Sequence, residues 1–208
     1  EGGVYIRCPS PTCPAQLRQR LVYFGSRAGM DIDGLGEEVV DLLIGHNLVG
    51  SYADLYRLTV DQVAGLVWPK KRKGKDDQMI DVAFGETNAT KLIKGIQESR
   101  ERGLARVLSS ISIRHVGPRV AQVLTQEYLS ADELFKTPAE DLAEIHEVGD
   151  AIAASVAEFF QSDYGQDLMQ RFAEAGVTLT EPKREKPNAD DPIADKAIVV
   201  TGTLKHFK

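Results

Sequence analysis

Apolar residues along the chain recur at helical spacing in short blocks, and the turns between blocks carry glycine at a fixed place. Three cassettes, Phe84-Gly85-Glu86-Thr87-Asn88-Ala89, Val116-Gly117-Pro118-Arg119-Val120-Ala121 and Val148-Gly149-Asp150-Ala151-Ile152-Ala153, put glycines at 85, 117 and 149, a constant step of 32 residues. Each sets an apolar residue and a glycine before an apolar helical pattern, and each follows a second helical stretch. The pattern therefore predicts helix, tight turn, helix as the unit, and a repeat of this length buries its apolar face only against its neighbours. A fourth copy, Gly34-Leu35-Gly36, runs into Glu37-Glu38-Val39-Val40-Asp41-Leu42-Leu43. Its Gly36 lies 49 residues before Gly85, and the excess of 17 coincides with the polar run Lys70-Lys71-Arg72-Lys73-Gly74-Lys75-Asp76-Asp77, which reads as an insertion.

Capping patterns set the expected helix ends. Thr59-Val60-Asp61-Gln62, Ser130-Ala131-Asp132-Glu133 and Thr137-Pro138-Ala139-Glu140 each read as a capping box opening a short helix, with Thr137 as N-cap and Pro138 at the first helical position of the last. A longer helix around Leu168 to Ala175, closed by Gly176, ends the array.

A turn through glycine presents consecutive N–H groups at a helix N-terminus, where the helix dipole also favours negative charge. Four such turns in register suit a chain that holds phosphate oxygens through amides and so positions a DNA duplex without reading its sequence. A purely structural helical array is the alternative. Charge qualifies the picture. The 208 residues carry a net charge of −6, which taken alone argues against a nucleic-acid partner, but the charge is uneven. From Lys91 to Arg119 seven cations face two acids, a balance of +5, whereas from Glu127 to Glu174 twelve acids face two cations, a balance of −10.

At 42% hydrophobic the chain can bury a core of useful size, and no stretch reaches the ~20 apolar residues of a membrane span. Glu1-Gly2-Gly3 is neither signal peptide nor initiator methionine, so the chain reads as a piece of a longer protein. Residues 181–195 hold three prolines and mostly charged residues, a linker. After them Lys196-Ala197-Ile198-Val199-Val200-Thr201-Gly202-Thr203-Leu204 reads as a buried strand entering a glycine turn. Two cysteines, Cys8 and Cys13, lie in a proline-flanked run without secretory features, which suggests a metal knuckle more than a disulfide. Structural zinc needs four ligands, so the pair reads as half of a site; two reduced thiols in a turn are the alternative.

The order Cys-x4-Cys-Pro-Ala-Gln-Leu, Met30-Asp31-Ile32-Asp33-Gly34-Leu35-Gly36, Ala53-Asp54-Leu55-Tyr56-Arg57-Leu58-Thr59, then Ile113-Arg114-His115-Val116-Gly117 closely resembles the C-terminal half of the bacterial NAD-dependent DNA ligases. The resemblance implies a mainly α fold: 1–27 as the second half of a four-cysteine zinc finger, 28–180 as four helix-hairpin-helix motifs with an insertion at about 68–81, 181–195 as linker, and 196–208 as the truncated start of an α/β BRCT domain. It implies zinc on Cys8 and Cys13, nicked duplex DNA as partner, and cytoplasmic residence, with a monomer favoured. The family adenylates a lysine from NAD and joins a 5′-phosphate to a 3′-hydroxyl with magnesium; the resemblance places that lysine, the NAD site and the magnesium site outside this chain, which is then a DNA-gripping part without catalytic residues. A non-catalytic helix-hairpin-helix module of a repair or junction-processing protein, and a helical scaffold that binds no nucleic acid, remain alternatives.

The expected contacts are the backbone amides around Gly85 and Gly117, with Thr87, Asn88, Lys91, Arg114, His115 and Arg119 beside them. Gly149 ranks third, because Glu144, Glu147 and Asp150 crowd its mouth. Gly34-Leu35-Gly36 lies among Asp31, Asp33, Glu37 and Glu38 and is assigned to packing, against the finger, with direct DNA contact as the alternative. Hairpins two to four carry Ala83, His115 and Glu147 where a Gly-x-Gly turn has its first glycine.

Overall fold

In chain order the first helical pair is α1 (Pro14–Gly25) and α2 (Glu37–Gly45), and a 3-10 helix (Tyr52–Arg57) leads to the short α3 (Val60–Ala64). The second pair is α3 with α4 (Glu86–Ser99), interrupted by an antiparallel ribbon of β1 (Val67–Lys73) and β2 (Met79–Ala83). The third is α5 (Leu104–Ser110) with α6 (Pro118–Glu127); after the linking α7 (Ala131–Lys136) comes the fourth, α8 (Ala139–Ala143) with α9 (Asp150–Gln161), and α10 (Asp163–Glu174) follows. These elements come from a computed structural model, which describes residues 8, 10, 13–73 and 79–182, with backbone alone for 69–73, 79 and 80. The expected strand at 196–208 and all but the first two residues of the expected linker lie outside the described residues.

The caps explain most boundaries. At Thr59 the reciprocal box forms: its Oγ1 accepts from Gln62 N–H at 3.3 Å while Gln62 Oε1 accepts from Thr59 N–H at 3.0 Å. Ser130 caps α7 by accepting from Glu133 N–H at 3.2 Å. The box expected at Thr137 does not form. Thr137 Oγ1 donates to the carbonyl of Glu133 at 2.8 Å and so finishes α7, leaving Pro138 as the N-cap of α8 with no side-chain hydrogen bond. Only Thr137 and Pro138 separate the two helices, and the hydroxyl serves the earlier one. Gly176, at φ +75°, closes α10 with paired bonds from its own N–H to Ala173 and from Val177 N–H to Phe172.

One continuous core joins the pairs. On α4 the spacing of Ala89, Leu92 and Ile96 places all three fully inside. Phe172 of α10 stacks on Phe24 of α1 with ring centroids 6.0 Å apart, and Tyr56 meets both rings edge-on at 5.9 and 6.4 Å. The last helix thereby returns to the first. The tail beyond α10 is stitched in as well: Thr178 N–H donates to Arg100, Ala131 N–H to Leu179 and Glu181 N–H to Leu129. Glu181, read from sequence as the first linker residue, accepts from Ala105 N–H at 2.8 Å and caps α5.

Candidate nucleic-acid interface

Three of the four turns have one backbone design. In each an isoleucine carbonyl accepts from an apolar residue three positions on: Leu35 to Ile32 at 3.2 Å, Val116 to Ile113 at 3.1 Å, Val148 to Ile145 at 2.9 Å. Between the partners sits a residue in the left-handed region, Gly34 (φ +88°), His115 (φ +66°) or Glu147 (φ +73°). The apolar residue is buried, and the next residue, Gly36, Gly117 or Gly149, is the N-cap of the following helix. The N–H groups of these three glycines have no acceptor among the described residues, and a Cβ at any of them would meet nothing within 4 Å. Each turn therefore ends in an open, donor-bearing helix N-terminus.

The second turn differs. Its closing bonds are Phe84 N–H to Leu66 at 2.7 Å and Gly85 N–H to Ala64 at 3.1 Å. Leu66 thus takes the place of the isoleucines, and the ribbon Val67 to Ala83 replaces the two residues that stand there in the other turns. The insertion forms paired strands inside the turn itself. Gly85 takes φ +85° as N-cap and its own N–H is taken by the Ala64 carbonyl, so of the amides expected around it those of the first turn of α4 are the ones left to face a ligand.

The side chains fall into two groups. Around the second turn, Asn88 Nδ2 donates to the Phe84 carbonyl at 2.7 Å and so braces the turn, Thr87 is exposed, and Lys91 reaches Asp33 of the first turn at 3.2 Å. Gly34, Gly36, Phe84, Asn88, Lys91 and Trp68 line one cleft, so the first two turns share a surface. The first turn packs on α4, where a Cβ at Gly95 would lie 2.6 Å from the Asp33 carbonyl oxygen, a close approach that needs glycine, and on α1 within the expected finger segment, where Ile32 N–H donates to the Gly25 carbonyl at 2.9 Å. Much of its acidity is matched, since Asp31 pairs with Arg102 at 3.1 Å and Glu37 with Arg18 at 3.1 Å.

Around the third turn, Arg114 and His115 are exposed without a partner among the described residues. Arg119, at the second position of α6, is held by both carboxylate oxygens of Glu147 in the fourth turn, its Nε 2.8 Å from Oε2. The bidentate contact holds the Glu147 carboxyl below its ordinary range and raises the Arg119 guanidinium. Gly149, two residues on, is thereby brought next to the third turn. The expected sites thus form two clusters, Thr87, Asn88 and Lys91 with the first turn, and Arg114, His115, Gly117 and Arg119 with Gly149.

Sequence reasoning missed the left-handed residues. Ala83, His115 and Glu147 looked like lapses from Gly-x-Gly, yet His115 and Glu147 adopt the conformation that Gly34 adopts in the same register. The signal was present in the isoleucine four residues before each of Gly36, Gly117 and Gly149, which fixes that register. The Arg119 to Glu147 tie needed the packing of two turns and left no mark in either cassette.

At the other end, Cys13 is the N-cap of α1, without a side-chain cap bond, and Gln16 Nε2 donates to the Cys8 carbonyl at 3.1 Å. The neighbouring Cys8, with the amides of Ala15 and Gln16 and the nearby Arg20, lowers the Cys13 thiol below its usual range. Two free cysteines five positions apart suit half of a tetrahedral zinc set; the described residues hold no group of three or more candidate ligands.

Comparison with known proteins agrees with this architecture. Residues 106–169, which span the third and fourth turns, match the helix-hairpin-helix motif family. Over its full length the chain is 60% identical to a DNA ligase of Rhodopirellula baltica, of which it covers 30%. It is 35% identical over 97% of its length to a DNA ligase of Natranaerobius thermophilus, covering 28% of that protein, and 37% identical over its full length to one of Lysinibacillus sphaericus, covering 29%. No described helix is long and apolar enough to cross a membrane. The chain belongs to the bacterial DNA ligases, as a part spanning about 30% of the length of the curated relatives it matches.

Proposed function

We propose that this part grips duplex DNA for an NAD-dependent, nick-sealing ligase, by docking backbone phosphates on the helix N-termini at Gly36, Gly117 and Gly149. The observation that carries the reading is the repeated turn: the same hydrogen bond, the same left-handed residue and the same open glycine amide, three times in one chain. An N–H without an internal acceptor at a helix N-terminus is a phosphate site in waiting, and the missing Cβ lets the phosphate approach closely. Amide contacts read the backbone and not the bases, as a ligase acting on any nick requires.

The proposed contacts are Gly117, Arg114, His115 and Arg119 in the third turn, with Gly149 in the fourth. Thr87, Asn88 and Lys91 line the cleft of the first two turns, and Gly85 serves there as a structural hinge. Joining a 5′-phosphate to a 3′-hydroxyl calls for an adenylated lysine, NAD and magnesium, which we assign to other parts of the enzyme; this part holds the duplex for them in the cytoplasm, as a monomer. Residues 1–27 are assigned to a zinc finger, with Cys8 and Cys13 holding one structural zinc together with a second cysteine pair. The first and second turns join the matched third and fourth as a four-motif array over 28–180, ahead of a linker and the opening of a BRCT domain at 196–208.

The test is a titration of fluorescently labelled nicked duplex at several salt concentrations. Binding should fall steeply with salt, by a slope of about 0.9 per phosphate held, and should not change with duplex sequence. A flat salt response, or strong sequence dependence, would refute amide-and-phosphate docking.

A further inference from the structure

The densest run of positive charge in the chain is Lys70-Lys71-Arg72-Lys73, and the fold places it in β1, inside the second turn. We infer that the ribbon Val67 to Ala83 is a second DNA-contacting arm, whose basic run adds phosphate contacts to those of the hairpins. The inference rests on the duplex-gripping reading above and adds to it a surface that the hairpins do not supply.

Three observations carry it. First, the ribbon springs from between Leu66 and Phe84, whose backbone bond at 2.7 Å is the counterpart of the closing bond in the other turns. A duplex resting on the turns therefore passes the foot of the ribbon. Second, the foot is fixed. Trp68 packs on Phe84 with ring centroids 5.6 Å apart, and Trp68 and Val67 line a groove with Leu42 and Gly45 of α2 and its C-cap His46. The ladder shifts register between Val67 and Lys71, around Pro69, then runs regularly through Lys71 opposite Asp81, Arg72 opposite Ile80 and Lys73 opposite Met79; such a shift bends and twists a ribbon away from its base. Third, charge complementarity favours a polyanion. Lys91 and Arg119 are ion-paired with Asp33 and Glu147, so of the cations proposed at the turns only Arg114 is uncompensated among the described residues. The described strands of the ribbon carry four cations against the one carboxylate of Asp81.

The experiment compares the unaltered chain with a variant carrying Lys70→Ala, Lys71→Ala, Arg72→Ala and Lys73→Ala, and with a charge-preserving variant carrying Lys70→Arg, Lys71→Arg and Lys73→Arg. Each is titrated with labelled nicked duplex from low to moderate salt, and helix content is checked by circular dichroism. The alanine variant should bind at least about tenfold more weakly at low salt, with a salt slope shallower by about 2 to 3, the signature of two or three lost phosphate contacts. The arginine variant should keep both affinity and slope. Trp68, the only tryptophan of the chain, should change its emission on duplex binding in the unaltered chain. Should the alanine variant bind with unchanged affinity and slope, the ribbon inference fails while the hairpin reading stands, and the cations then serve another partner such as an acidic protein. Loss of affinity with an unchanged slope would also overturn it. If the unaltered chain fails to bind duplex at any salt, both readings fall together.

Discussion

Arg119 and Glu147 form a bidentate ion pair between neighbouring turns, tying the start of α6 to the left-handed residue ahead of α9. The pair locks two open helix N-termini side by side, and it also spends a guanidinium that would otherwise face phosphate. Both side chains are substantially exposed, so the tie is weak and solvent-screened. Replacing Glu147 with Gln should leave the fold intact and tighten duplex binding by a small factor, because it releases the Arg119 guanidinium to face phosphate. Fluorescence anisotropy at fixed salt reads this directly; weaker binding would mean that Glu147 positions Arg119 and does not compete for it.

The same pair predicts a pH dependence. Arg119 depresses the Glu147 carboxyl in the folded state, so the tie contributes above the ordinary glutamate range and is lost as pH falls through the lowered folded value. Carbon-13 NMR of the Glu147 carboxyl should show a midpoint below that of a free glutamate, and Arg119→Ala should move it back up. A midpoint that does not move on that substitution would show that the tie does not persist in solution.

Two glycines separate function from architecture. Gly117 has ordinary extended backbone angles and open space where a Cβ would sit, so Gly117→Val should keep helix content and melting temperature nearly unchanged while weakening duplex binding. Gly95 is the reverse case. Its Cβ would press on the Asp33 carbonyl at 2.6 Å, and Gly95→Ala should cost about 1–3 kcal/mol of stability, as overpacked sites do, read by urea denaturation. If Gly117→Val destabilised as much as Gly95→Ala, the turn would be a packing feature.

Much of this was legible in the chain because glycine spacing and apolar periodicity are local. The turns at Gly85, Gly117 and Gly149, the box at Thr59 and the stop at Gly176 each depend on residues within a few positions. Thr137 was misread for an instructive reason: a hydroxyl between two short helices can cap the second or finish the first, and sequence alone does not choose. The ribbon escaped because its strands pair only with each other and a charged run with one proline lacks the alternation that marks a half-buried strand. Contacts such as Lys91 to Asp33 and Arg119 to Glu147 join residues 58 and 28 positions apart, and no local pattern encodes which charged pairs the packed turns bring together.

Phe172 tests whether the array is closed by its last helix. Fully buried, stacked on Phe24 and edge-on to Tyr56, it joins α10 to α1 and the 3-10 helix. Phe172→Ala should cost about 3–5 kcal/mol and should raise amide hydrogen exchange in α1 as well as in α10. Exchange confined to α10 would mean that the two ends of the array unfold independently.

The cysteine pair gives the last test. Cys13 sits at the N-terminus of α1, where its thiol is drawn toward the thiolate by Cys8, by the amides of Ala15 and Gln16, and by Arg20. Those features favour a metal-ligating sulfur, because zinc binds the deprotonated form. In the full-length enzyme, Cys13→Ser and Cys8→Ser should each lower bound zinc from about one per chain toward none, measured by atomic absorption after dialysis against a mild chelator. The loss should also loosen α1, whose Leu21 and Phe24 are buried in the common core, and so lower thermal stability while the hairpin turns keep their affinity for duplex. Zinc retained in full by both variants would assign the pair a different role.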